Sequence, residues 1–260
     1  MPMHPPEHIA VSGLAARYVA DGSTVFSRMN FALPPGQCLA LIGPSGCGKS
    51  TLLHVLAGLL SAHEGSVTYG PKPVSDLRGR VSYMQQKDLL LPWRTVEDNA
   101  ALGLLMQGVP KKTARQTVRD HLPGFGLAEA AGSYPHHLSG GMRQRAALLR
   151  TLLCRKPVIL LDEPFGALDA ITRRAMHDQL LQVWRALGAS IILVTHDVDE
   201  ALILADTVLV LTPCPARVQT SLVVDLPRPR QVTAPAFVEH KAFLLEQLDT
   251  WSPATCAAVS

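Results

Sequence analysis

Apolar positions along this chain fall into short runs separated by turns. Over residues 9–18 and 24–33 apolar and β-branched residues alternate with polar ones, and the second run ends in the turn Pro34-Pro35-Gly36. Both patterns predict strands. An almost wholly apolar run over 37–42 leads into glycines and then into a helical pattern over 50–60, so the order there is strand, loop, helix. Two more strands are predicted at 66–69 and 80–84. From about residue 96 to 153 apolar residues recur at helical spacing and β-branched runs become scarce, which predicts a helical insertion. Alternation then returns, as strand 158–161, helix 171–187, strand 190–194, helix 198–205 and strand 207–211. Elements of these lengths in this order imply a mainly parallel sheet covered on both faces. The chain ends in a proline-interrupted tail, with a helix over 236–248 expected to dock on the domain surface.

Composition narrows the picture. A chain of 260 residues with 47% apolar and 17% charged residues can bury a large core, as one α/β domain or one domain with a small satellite. The net charge of +3 comes from 24 basic and 21 acidic residues spread along the whole length, too dispersed to argue for nucleic acid. The five cysteines form no CxxC pair and are odd in number, so free thiols in a reducing compartment are expected rather than a zinc site or a disulfide framework. Residues 1–8 lack a cationic stretch followed by an apolar core, so no secretory signal is expected. The most apolar windows, 52–60 and 158–161, stop far short of the roughly 20 residues that a membrane-spanning helix needs. Any link to a membrane is expected to run through a partner.

Chemistry is concentrated in a few places. Gly43-Pro44-Ser45-Gly46-Cys47-Gly48-Lys49-Ser50 is a full GxxxxGK[ST] between a predicted strand and a predicted helix. The glycines let backbone N–H groups turn inward on phosphates, and the helix that follows adds the positive end of its dipole. Lys49 would reach the β and γ phosphates and the Ser50 hydroxyl would bind Mg²⁺. Thr51 completes the set, and Cys47 is read as a small spacer. Downstream, the apolar strand 158–161 ends in Asp162 and Glu163, where α/β sheets place ligands. Asp162 fits a metal-side acid, and Glu163 fits a group that orients or deprotonates an attacking water. A third candidate is Leu138-Ser139-Gly140-Gly141-Met142, in which Ser139 can cap the following helix while Gly140 and Gly141 expose N–H groups at its start.

Together these motifs resemble the ABC ATPases, whose signature reads LSGGQ or a near variant, here with Met142 at the last place. The resemblance runs from Tyr18 to about Leu211. It implies a P-loop core with a mainly parallel sheet, an N-terminal antiparallel β subdomain and an inserted helical subdomain. The domain would span 1–230, with the insertion at about 88–155, and 231–260 would form a tail with a short helix. It implies an adenine-stacking role for Tyr18. Gln85 would join Mg²⁺ and water to the helical subdomain, with Gln86 as the one-residue alternative. Gly166-Ala167-Leu168-Asp169 would form a loop contributing Asp169 to the site, and His196 would contact the γ-phosphate. Ser139, Gly140 and Gly141 would cradle the nucleotide of a second copy, since such ATPases work as head-to-tail dimers using ATP and Mg²⁺.

Within the family, residues 88–96, residues 199–202 with Asp206, and the ending Leu226-Pro227-Arg228-Pro229-Arg230 resemble importers of nitrate, taurine, aliphatic sulfonates and thiamine-precursor pyrimidines. The partners implied are an integral membrane permease and, indirectly, a periplasmic or lipid-anchored solute-binding protein, with no nucleic acid. The implied location is the cytoplasmic face of the inner membrane. Trp93, with Leu90 and Leu91, is expected in the groove that receives the permease. The ATPase half of an exporter and a soluble non-transport ABC ATPase are the alternatives; a partnerless P-loop kinase or GTPase would leave the signature unexplained.

Overall fold

The computed structural model describes residues 8–17 and 22–250. A long apolar hairpin opens it, because β1 (Ile9–Arg17) and β2 (Thr24–Leu33) pair antiparallel. β3 (Cys38–Ile42) is buried at every position, as a strand covered on both faces must be. The loop after it enters α1 (Lys49–Leu56). The helical pattern over 50–60 therefore ends early. Gly58 takes a left-handed φ of 75°, and the N–H groups of Leu59 and Leu60 both turn back to the His54 carbonyl. Left-handed glycine is a usual helix stop.

β4 (Glu64–Tyr69) adds to β1, and β5 (Lys72–Val74), which the sequence pattern did not reveal, adds to β4. It has only three residues, one of them Pro73. The result is an antiparallel sheet in the order β2-β1-β4-β5. β6 (Val81–Met84) then enters the second sheet. The insertion consists of α2 (Val96–Ala100), α3 (Leu102–Met106), α4 (Lys111–His121), three short 3₁₀ turns, and α5 (Gly140–Leu153). The chain continues through β7 (Val158–Asp162), α6 (Ala170–Leu187), β8 (Ser190–Val194), α7 (Val198–Leu204) and β9 (Thr207–Leu211). β10 (Val218–Val223) was also missed from sequence, since Gln219, Thr220 and Ser221 interrupt any apolar alternation. α8 (Pro235–Asp249) follows and buries Phe237 and Leu244 in the main core.

The second sheet has the order β10-β9-β3-β8-β7-β6, parallel throughout except for the edge strand β10. Alternate residues of its strands feed two cores. Cys38, Ala40 and Ile42 of β3 face the helices of the insertion side, while Leu39 and Leu41 face α1 and the antiparallel sheet. The strands end level, with Leu41 and Asp162 both paired to Val194. The carboxyl ends of β3, β8, β7 and β6 therefore lie side by side.

The ending Leu226-Pro227-Arg228-Pro229-Arg230 has a structural task. Arg230 Nη1 donates to the carbonyls of Leu202 and Ala205 and Nη2 donates to Val224 O, so it satisfies carbonyls left open at the end of α7. Burial pushes its pKa down to about 10. Arg228 pairs with Asp206 at 2.7 Å, and Asp206 in turn accepts the N–H of Cys38 at the start of β3. No helix among the described residues is long and apolar enough to cross a membrane.

Candidate nucleotide-binding and catalytic site

The loop of residues 43–48 leaves β3 in a shape that two glycines make available. Gly43 has φ 154°, and a Cβ there would lie 2.8 Å from the Leu211 carbonyl oxygen. Gly48 has φ 112°, and a Cβ would lie 2.7 Å from Val25. Side chains at either place would push the loop off β9 or the antiparallel sheet. Lys49, only 7% exposed, donates from Nζ to the carbonyls of Gly43 and Pro44, each at 2.8 Å. The loop thus closes around its own ammonium at the N-terminus of α1, a place where N–H groups and the helix dipole favour an anion. Cys47 is buried beneath it, and burial raises its pKa, which keeps the thiol protonated.

β7 lies two strands from β3 and ends in the acid pair. Asp162 is 2% exposed, and burial raises its pKa. The Ser50 side chain opposes that shift, whereas the neighbouring Glu163 carboxylate adds to it. Tyr83 meets Asp162 Oδ2 at 3.4 Å, but Oδ1 is buried without a protein partner. A buried carboxylate oxygen left open, with a hydroxyl beside it, is the hard oxygen donor set that Mg²⁺ takes. The residues present fit that ion.

Glu163 sits at φ 49°, a left-handed conformation that costs a non-glycine residue about 1 kcal/mol or more. Three hydrogen bonds hold it there. Its N–H donates to Val194 O at 2.9 Å, and its carbonyl accepts from Gln144 Nε2 at 2.9 Å and from the Gly166 N–H at 3.3 Å. The carboxylate is flanked on both sides, with Gln86 Nε2 donating to Oε2 at 3.1 Å and His196 Nδ1 lying 3.6 Å from Oε1. The contact with Glu163 therefore belongs to Gln86 and not to Gln85. Both residues lie just past the end of β6, so strand alternation alone could not choose between them. Tyr18 lies outside the described residues.

Ser139 caps α5 by accepting the Met142 N–H at 3.2 Å, and Gly140 beside it is exposed. The start of α5 abuts the loop 166–169, since a Cβ on Gly141 would lie 3.1 Å from the Leu168 side chain. Asp169 caps α6, its two oxygens taken by the N–H and hydroxyl of Thr172, which hold its pKa down. Among the described residues no side-chain hydrogen bond joins 43–51 to 139–141. The two glycine sets belong to different parts of the chain.

Two features were not foreseen. Gln144, 8% exposed, bridges the acid strand and the loop beyond it, because its Oε1 also accepts the Ala167 N–H at 2.8 Å. The loop after Gln86 is bound to α5, as Arg143 pairs with Asp88 at 3.1 Å while Arg150 donates to the carbonyls of Asp88 and Leu89. That loop presents Trp93 at 70% exposure. Asn99, fully buried, shapes it by accepting the Leu91 N–H and donating to the carbonyls of Leu91, Arg94 and Thr95. Leu90, grouped with Trp93 from sequence, is instead 7% exposed and packed in the core; the exposed apolar neighbour is Leu89.

Comparison with known proteins agrees with this geometry. Residues 26–166 match the family described as "ABC transporter". The chain is 42% identical over 224 residues to the aliphatic sulfonates import ATP-binding protein SsuB of Shigella flexneri, covering 86% of this chain and 85% of that protein. It is 40% identical to the taurine import ATP-binding protein TauB of Chromobacterium violaceum, over 80% of each chain. Among solved structures, the dimeric form of a bacterial ABC transporter cassette superposes with a TM-score of 0.76 at 25% identity, over 84% of this chain and all of the other. The ATP-binding subunit of another ABC transporter gives 0.72 at 27% identity, over 84% of this chain and 90% of the other.

Proposed function

The chain belongs to the ABC transporter family, and from that premise we propose that it is the ATP-hydrolysing subunit of an importer for small organic sulfonates. The solute class comes from the relatives, which are named for the import of aliphatic sulfonates and taurine. The chain would work as a head-to-tail dimer on the cytoplasmic face of the inner membrane, beneath a permease supplied with solute by a binding protein.

The observation that carries the enzymatic part is the convergence at adjacent strand ends of a phosphate loop, a buried acid with an open oxygen, and a second acid flanked by Gln86 and His196. Backbone N–H groups of 43–51 and the Lys49 ammonium bind the phosphates of ATP. Ser50 and Asp162 hold Mg²⁺, which when bound neutralises charge on the phosphate oxygens. Glu163 orients a water and takes its proton as the water oxygen attacks the γ-phosphorus and the bond to ADP breaks. His196 and Gln86 keep that carboxylate aimed. Ser139, Gly140 and Gly141 serve the site of the second copy, which fits their separation from 43–51 within one chain.

Coupling to the permease is supported by the link from Gln86 through Asp88 to Arg143 and Arg150 on α5, with Trp93 exposed a few residues on. A change at Glu163 would reach both α5 and the Trp93 loop through these contacts.

The test is Glu163→Gln. Binding rests on Lys49 and Ser50, so the variant should bind ATP as tightly as the parent while turnover falls at least 100-fold, and it should run as a dimer on size exclusion with ATP and Mg²⁺. Normal turnover, or a monomer under those conditions, would overturn the assignment.

A further inference from the structure

At the opposite end of the sheet, where β6 and β7 begin, lies a cavity of about 1180 Å³. Three parts of the fold meet around it. Tyr69 and Pro71 come from the end of β4 and the turn that follows it, Leu104 and Val109 from the insertion, and Val183 and Leu187 from α6. Leu152 and Leu153, buried at the end of α5, add to its apolar wall.

Its charge is one-sided. Lys72, Arg80, Arg155 and Lys156 line it, and no Asp or Glu does. None of the four forms an ion pair among the described residues. Arg80 lies over the Tyr69 ring at 5.2 Å, and Lys156 donates to Gly79 O at 3.0 Å. Arg155 is held at φ 47°, a left-handed conformation in which glycine would be more comfortable. Four cations line one hollow with no acid among them, so an anion bound there meets charge of the opposite sign on every charged wall. A carboxylate suits them, since guanidinium groups bind it through paired hydrogen bonds.

We propose that this cavity is a binding site for a small organic anion with an apolar tail, and that the bound anion clamps the helical insertion against the sheet. The head group meets the cations and the tail lies on Leu104, Val109 and Leu187. The site is separate from the phosphate loop, because it opens at the strand starts while the acid pair and Gln86 lie at the strand ends. Its consequence is mechanical: the piece it would hold carries Ser139 and Trp93.

The full chain is titrated by calorimetry with octanoate, acetate and octan-1-ol, with ADP at saturation so that anion binding at the phosphate loop is not read. Octanoate should bind with one-to-one stoichiometry, and acetate and octan-1-ol at least tenfold more weakly, since each lacks one half of the ligand. Arg155→Gly with Lys72→Gln removes two cations and places glycine where the backbone already favours it. This pair should weaken octanoate at least tenfold without lowering the melting temperature. Ala186→Trp keeps every cation, fills the cavity from α6, and should do the same. Hydrogen exchange in α3 and α4 should slow when octanoate is added to the parent and not to either variant. Equal octanoate binding by parent and variants overturns the proposal, as does acetate or octan-1-ol matching octanoate. Unchanged exchange in α3 and α4 on binding overturns the clamp. None of these readouts depends on ATP turnover, so the proposed enzymatic function can fail while this result stands, and the reverse.

Discussion

Gln144 touches no position where substrate would sit, yet it fixes the backbone on either side of the Glu163 turn, from the Glu163 carbonyl to the Ala167 N–H. A left-handed glutamate persists only where its surroundings over-determine it. Gln144→Glu keeps the acceptor for Ala167 and sets a carboxylate against the Glu163 carbonyl, so it should disturb Glu163 while Lys49 and Ser50 stay in place. We expect kcat for ATP to fall about 10- to 100-fold, the usual scale for an ångström of misplacement, with KM changed less than about twofold. Gln144→Asn, too short to span both partners, should restore little. A lowered melting temperature with unchanged kcat would make Gln144 a purely structural residue. From sequence, Lys49, Ser50, Asp162 and Glu163 were legible as candidates because their residue types and spacings are themselves the chemistry. Gln144 was not, since it acts on main-chain atoms of a loop 19 and 23 residues away, which carry no side-chain signal.

The loop between β6 and α2 shows how one buried side chain can shape an exposed segment. Asn99→Ala removes four hydrogen bonds from the turn 91–95 and leaves the Leu91 N–H and the Arg94 carbonyl without a protein partner, while the Leu91 and Thr95 carbonyls keep their backbone N–H donors, at a cost of about 2–3 kcal/mol. For a chain of this length that is a fall of roughly 4–12 °C in melting temperature. Trp93→Ala touches only an exposed ring, so scanning calorimetry should show a shift under about 2 °C. If the ring anchors the permease, its loss should cost about 2 kcal/mol of association, near 30-fold in the affinity read by pull-down with detergent-solubilised permease. A Trp93→Ala protein that melts as early as Asn99→Ala would place the ring in the core, and one that retains the permease fully would place the groove elsewhere. Strands with a buried apolar face or two, such as β2, β8 and β9, were legible to the residue because burial dictates their pattern. β5 and β10 were not, being edge strands whose polar or proline-bearing residues need only backbone pairing.

At the scale of the whole molecule the two glycine sets pose a geometric question, because 43–51 and 139–141 are not joined within one chain. If each serves the other copy, a dimer of one Ser139→Arg chain and one Lys49→Ala chain has one site with both defects and one with neither. Each homodimer has a defect in both sites. The mixture should therefore hydrolyse ATP well above either variant alone, up to about half the parent rate if the sites act independently. Tandem affinity tags would isolate the mixed species for assay, and activity no higher than the homodimers would sink the shared-site geometry. Periodicity and spacing along the chain were enough to read the order of the main strands and helices, though not β5 or β10, and to single out the phosphate loop, the acid pair and the capped glycines of α5. Each of these is set by spacing within a few residues. Folding of the whole chain sets β3, β8, β7 and β6 side by side and brings Gln86 to Glu163 across 77 positions of sequence. It alone gathered Lys72, Arg80, Arg155 and Lys156 round one hollow. Local propensity and periodicity act over a turn or two of chain, whereas these contacts depend on which faces the two cores bury against each other.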